Sequence, residues 1–445
     1  MGIESWYGSV AGPAGSRLAV PELADHLGRA LDDLDYPANT TSMNPVLLPY
    51  HRYAELFDAT GRLLQLLRRA LFGSAPDFHG RLRALGAVEE NYALWVPGPL
   101  EEAYATCMTR PDVAVGATGP KFLEFNIGSG IGGVVETSVH SAAWKAAYGG
   151  DAGPFHRAPD PLAVRDQIFV RAVRELGTAP AVAVVGALRE FNAVRTTRYF
   201  DLQVASLRRQ GLQAEYFEPE HLLEGLGLSD GGATPRYPLG LRHFNIYDWT
   251  RLGIDLAPMR AALDAGCFLI ASQTAYLVAN KKVLGWVSEG LPWMTAADHA
   301  LVARYLPWTR TVTDRLVHWQ DTRLNLPELL LSRQEEFVLK PAIGLGSQGV
   351  VLGRHVDEAT WRATLETALS SGQYIAQEYV EPVPYRMELR ESDGAVGEAD
   401  VFPVLSPFLF DGEPGGCLVR YLPPGREGCT TIQGNGALPS VALPV

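Results

Sequence analysis

The chain has 445 residues, is 47% hydrophobic and carries a formal net charge of −12, enough material for two or three packed units with sizeable cores. No run of about 18 uncharged apolar residues is present and no Lys/Arg stripe offsets the acidic balance, so neither a membrane nor nucleic acid is expected as a partner. Cys107, Cys267, Cys417 and Cys429 fall in no CxxC or Cys/His spacing, which argues against zinc and suits a reducing cytoplasm.

In chain order, Met1 to Trp6 lacks the basic and apolar regions of a signal peptide, and Trp6 stands where a myristoylation signal would need Ser or Thr. Residues 1–100 read as a mainly helical scaffold, with Leu56, Leu63, Leu64, Leu67 and Leu71 close to a 3.6-residue period. Residues 101–178 hold the most informative pair of segments, Thr109-Arg110-Pro111-Asp112 and Leu123-Glu124-Phe125-Asn126. Gly116-Ala117-Thr118-Gly119-Pro120 between them has the composition of a hairpin turn. A hairpin centred on Thr118 sets Asp112 opposite Glu124 and Arg110 opposite Asn126. Facing carboxylates destabilise a sheet unless something positive lies between them, and an oxygen-only set of Asp, Glu and Asn suits a hard cation. The expectation is a Mg²⁺ and phosphate site with Arg110 beside it; a solvated hairpin face is the alternative. Gly128, Gly130, Gly132 and Gly133 follow at once and leave a backbone open to close approach. Pro111 lacks an N–H and belongs on an edge or a bulge. Ser129 is placed either to touch a substrate carboxylate or simply to turn the chain.

Pro161 after Asp160 opens a helix at its first position. Over 179–275 the pattern changes to a strand at 181–187, a helix at 197–210, a strand at 213–217, a helix at 256–265 and a strand at 267–271. Such alternation predicts a small open parallel sheet for substrate binding, with the ligand at the strand ends. Asn192 and Arg195 sit where its first strand gives way to a helix and are placed to hold a carboxylate. Residues 276–370 are expected to form a lid. Within it an apolar strand ends in Lys340 and is followed by Gly344-Leu345-Gly346-Ser347-Gln348-Gly349 and a second strand at Val350. That is a flap whose backbone N–H groups, Gly346 to Gly349, can close on phosphates. It is not a Walker A loop, since no Gly-Lys-Ser/Thr and no helix follow.

Residues 371–445 are expected to return to the metal-bearing sheet. Gln377, Glu378, Tyr379 and Val380 close a strand that ends at Pro382 and can offer backbone donors and acceptors to an adenine edge, an ordinary buried strand being the alternative. Arg420 and Asn435 add one more cation and one more amide in a glycine turn. His51, His140, His243 and His318 stand alone and read as structural.

The order of these pieces resembles the nucleotide site of ATP-grasp ligases, in which the Glu-x-Asn strand normally comes last. Here it comes first, similar to the circularly permuted group that includes glutathionylspermidine synthetase and eukaryotic-type glutathione synthetase. The resemblance implies a mixed α+β and α/β chain with the permuted ATP-grasp fold, a small parallel-sheet substrate domain and a lid. It makes Asp112, Glu124 and Asn126 the Mg²⁺ ligands, Arg110 the stabiliser of the transferring phosphoryl group, and Lys340 a contact to the phosphates of ATP. Asn280-Lys281-Lys282 resembles the family's segment entering the lid, so one of Lys281 and Lys282 is the second phosphate contact. The flap lacks the glutamate that eukaryotic glutathione synthetases carry there.

The expected activity is ADP-forming ligation of a small-molecule carboxylate and an amine, through an acyl phosphate. A phosphotransferase that stops at a phosphorylated product, and a catalytically silent nucleotide-binding subunit, are the competing readings. A homodimer is compatible with all three.

Overall fold

A six-stranded sheet draws its strands from both halves of the chain. Its order is Val46–Leu48, Leu438–Pro444, Glu413–Tyr421, Val404–Phe410, Met108–Gly116 and Gly119–Ile127. Only the first two strands run parallel. The computed structural model in which this is seen describes residues 6–8, 18–34, 42–191, 194–229, 234–344, 346–390 and 393–445. Helix Tyr50–Ser74 packs on this sheet and buries the five leucines whose spacing predicts it. Helix Pro161–Leu176 also packs there, opened as expected by Pro161 behind Asp160, whose side chain accepts from the Leu162 N–H at 3.1 Å.

The hairpin pairs Asp112 with Glu124 and Arg110 with Asn126, the register the sequence predicts. It reaches that register by another route. The turn has two residues, Ala117 and Thr118, closed by Gly116 opposite Gly119, and taken alone would oppose Asp112 to Leu123. A bulge at Leu123 adds the missing residue and brings Glu124 into place.

Pro111 lies in an interior strand, not on an edge. The ladder to Val404–Phe410 pairs Leu405 with Val113 and resumes at Leu409 with Thr109. Pro111 and Pro407 fall in the gap, where no ladder N–H is asked of either.

The parallel sheet has four strands in the order Gln213–Phe217, Ala181–Val185, Leu239–Arg242 and Phe268–Ile270. Leu239–Arg242 escapes sequence reading because all four residues are buried, so no alternation marks it. A third sheet, Val351–Leu352, Phe337–Pro341, Tyr374–Glu378 and Thr309–Thr311, within the segment expected as the lid and just beyond it, has its own core around Phe337, Leu339 and Trp361. Tyr374–Glu378 pairs along the whole of Phe337–Pro341, so the lid boundary expected at residue 370 falls inside this sheet. Among the described residues no helix is long and apolar enough to cross a membrane.

Candidate functional site

One cavity of 840 Å³ lies where the hairpin, the lid sheet, the flap and the ends of the parallel strands converge. Arg110, Asp112, Glu124 and Asn126 form its hairpin wall. The opposed carboxylates are relieved by the protein's own cations. Arg420 Nη2 lies 2.5 Å from Asp112 Oδ1, and Lys281 Nζ 3.4 Å from Glu124 Oε2. Asp112 Oδ1 also accepts from Ser406 Oγ at 3.0 Å and stands 4.0 Å from Arg110. Burial opposes ionisation of Asp112, but the guanidiniums of Arg420 and Arg110 outweigh it and hold its carboxyl down at about 2. Burial also lowers the pKa of Arg110, against the pull of Asp112. Asn126 donates from Nδ2 to the Arg110 carbonyl at 3.1 Å, which leaves its Oδ1 as the free end of the amide.

Across the cavity, Lys340 extends from the lid strand. Its Nζ donates to Gln377 Oε1 at 2.7 Å and to the Leu123 carbonyl at 3.3 Å. Burial lowers its pKa, with the Glu124 carboxylate pulling the other way. Of the expected lysine pair, Lys281 faces the cavity, whereas Lys282 turns away and donates to the Leu85 carbonyl at 2.7 Å. Asn280 fixes this choice by capping helix Lys281–Glu289, its side chain accepting from the Lys282 N–H at 2.9 Å.

The flap residues Gly346, Ser347 and Gln348 line the cavity. Gly349 does not; with φ +72° and room for a Cβ only 2.8 Å from Pro341 Cγ, it folds the flap back over its own strand. Glu378, Tyr379 and Val380 line the cavity as well, with the Arg354 guanidinium 3.7 Å from the Tyr379 ring centroid. Gln377 lines the cavity too, with its side chain bonded to Lys340, the Leu123 carbonyl and Thr309.

Three expected contacts lie elsewhere. Asn435 donates to the carbonyls of Glu427 and Cys429, both at 3.1 Å, and so braces the loop that walls the cavity without lining it. Arg195 bonds its own neighbour, the Val194 carbonyl, at 3.3 Å and is not part of the wall. Ser129 is buried with no hydrogen-bond partner for its hydroxyl among the described residues, behind Gly130, where a Cβ would stand 2.8 Å from the Phe244 carbonyl oxygen. Asn192 lies outside the described residues.

The sequence places a ligand at the strand ends of the parallel sheet, which form the far end of the cavity, but singles out none of Glu190, Asp248 and Tyr276 there. Glu190, Phe191, Asp248 and Tyr276 line it. Arg242, at the carboxyl end of Leu239–Arg242, is 1% exposed and lies 5.1 Å from the Tyr276 ring centroid, with Nε and Nη2 lacking hydrogen-bond partners among the described residues. The same cation lies 5.8 Å from the Phe244 ring centroid, so it packs against two aromatic rings behind the wall and is not itself part of it. A strand too short to show its period conceals it.

No protein-family model and no curated protein matches the chain. Among solved structures it is similar to a glutathione synthetase-like effector from Globodera pallida in apo form, with a TM-score of 0.58, 13% identity and 96% of each chain covered. It is also aligned with a protein described as a γ-glutamylcysteine synthetase from Methylobacillus flagellatus KT, over 86% of this chain and 88% of that one, but at a TM-score of 0.38 and 14% identity that likeness carries no weight. The chain thus shares, end to end, the mixed α/β fold of a glutathione synthetase-like protein.

Proposed function

We propose that this chain is an ADP-forming ligase of the circularly permuted ATP-grasp type, which joins a carboxylic acid to an amine. The observation that carries the reading is the meeting, in one cavity, of the hairpin set Arg110, Asp112, Glu124 and Asn126 with Lys281, Lys340, Arg420 and the glycine flap. The order of the pieces supports the permutation, since the Glu-x-Asn strand precedes the lysine strand. The shared fold with a glutathione synthetase-like protein is in keeping with it.

In this reading the nucleotide phosphates face Lys281, Lys340 and the flap N–H groups, while Glu378 to Val380 meets the adenine edge. A substrate carboxylate oxygen attacks the γ-phosphorus and ADP leaves. Arg110, buried in the wall of the cavity, stabilises the charge on the transferring group. The amine then attacks the acyl carbonyl and phosphate departs as the amide forms. Two carboxylates and one amide oxygen on a single hairpin face suit Mg²⁺, which takes one or two protein carboxylates and completes its shell with phosphate oxygens and water. Two carboxylates and one amide leave most of an octahedral shell to other oxygens, so the donor set fits a metal brought in with the nucleotide. When bound, Mg²⁺ would neutralise phosphate charge beside Asp112, Glu124 and Asn126. The acid is assigned to the far end of the cavity, where Tyr276 forms the wall and the buried Arg242 guanidinium lies against its ring.

The test is an ADP-release screen of acids and amines, with hydroxylamine in place of the amine. A hydroxamate from one acid supports the ligase. A stable phosphate ester with no hydroxamate would make the chain a phosphotransferase, and no ADP from any pair would make it a silent nucleotide-binding protein.

A further inference from the structure

Lys340 and Gln377 are diagonal neighbours on one face of the lid sheet, since Lys340 pairs with Ile375 and Gln377 stands two residues on. Gln377 is 1% exposed, and the hydrogen-bond pattern fixes which way its amide points. Thr309 Oγ1 donates to the Pro307 carbonyl at 2.9 Å, so towards Gln377 it can only accept. Gln377 Nε2 therefore faces Thr309 Oγ1 at 3.0 Å and the Leu123 carbonyl at 3.2 Å, and Oε1 faces Lys340 Nζ at 2.7 Å. Leu123 is the bulge residue, which turns its carbonyl out of the regular ladder, and it directly precedes Glu124. Two of the three ammonium protons of Lys340 are thus spoken for, one by the lid and one by the hairpin, and the third is left for the cavity.

We infer that Gln377 is a positioning residue: its neutral amide fixes the Lys340 ammonium against the bulge carbonyl of Leu123 while leaving the full positive charge for a nucleotide phosphate. A carboxylate at this position would hold the lysine equally well and cancel its charge. The role rests on the ATP reading proposed above.

The experiment compares Gln377→Glu and Gln377→Met with the full-length wild type, measuring binding of a non-hydrolysable ATP analogue by calorimetry and Tm by scanning calorimetry. The glutamate variant is expected to weaken nucleotide binding tenfold or more. The methionine variant, which frees the lysine but keeps its charge, should weaken it less. A purely structural glutamine predicts that affinity follows Tm in both variants, since methionine loses every hydrogen bond of the amide and glutamate sets an oxygen against the Leu123 carbonyl and the Thr309 hydroxyl. Affinity losses that track Tm, or nucleotide affinity within twofold of wild type in both variants, overturn the positioning role alone. Failure of the wild type itself to bind the analogue overturns the nucleotide reading and this role with it.

Discussion

Lys281 points its Nζ to within 3.4 Å of Glu124 Oε2, while its neighbour Lys282 points the other way, 2.7 Å from the Leu85 carbonyl. The two adjacent lysines therefore serve different ends. Lys281→Met should raise the ATP requirement of ADP formation by about tenfold or more, as expected for a lost charged contact of roughly 1.5–3 kcal/mol. Lys282→Met should leave that requirement unchanged and instead lower stability by about 1–3 kcal/mol, through a buried carbonyl left unpaired. Steady-state kinetics with urea unfolding of the two variants separates them; equal loss of activity in both would refute the division.

Asp112 gives the second prediction. From the sequence, removing one of two opposed carboxylates looks like relief of repulsion. In the structure the same carboxylate neutralises Arg420 and lies beside the buried Arg110, so its removal strands buried positive charge. Asp112→Asn should therefore cost about 3–5 kcal/mol as well as activity. The pH dependence has a definite sign. With a folded pKa of about 2 against 3.8 unfolded, Asp112 contributes stability that is present above about pH 4 and lost as pH falls towards 2. The amount is about 2 kcal/mol. The stability gap between wild type and variant should narrow over that window in acid titrations of Tm.

Arg110→Lys keeps a positive charge but loses the planar fork. If Arg110 stabilises the transferring phosphoryl group, turnover should fall about 100-fold or more with little change in the KM for ATP. Hydroxamate accumulation in the presence of hydroxylamine is the direct readout. A rise in KM with unchanged turnover would make Arg110 a ground-state contact only.

For Arg242 the expected signs of stability and binding are opposite. Two nitrogens of this buried guanidinium lack hydrogen-bond partners among the described residues, and an apolar side chain removes their desolvation cost, so Arg242→Met should hold or raise Tm. It should also weaken binding of the acid substrate by about 10- to 150-fold, the equivalent of a charged hydrogen bond worth roughly 1.5–3 kcal/mol. A variant that loses Tm and keeps its acid affinity would place Arg242 in the core and not in the site.

The cross-strand partners Asp112 and Glu124, the flap after Lys340 and the helix opened by Pro161 were all legible in the sequence, because each rests on local chemistry: period-two alternation, glycine composition, or a fixed proline φ beside a capping carboxylate. The bulge at Leu123 was not, although the register depends on it, since an assumed one-residue-longer turn led to the same pairing. What only the tertiary structure decided is which charges meet. Arg420 reaches Asp112 across the intervening strand Val404–Phe410, which the sheet order places between them, and Lys340 reaches the hairpin because its sheet aims it at a bulge carbonyl. Arg242 is set behind Tyr276 by a buried four-residue strand that carries no periodic signal. Pairings between residues far apart in the chain depend on how whole sheets pack, and packing energy is summed over the entire core; no local pattern of residue types records it.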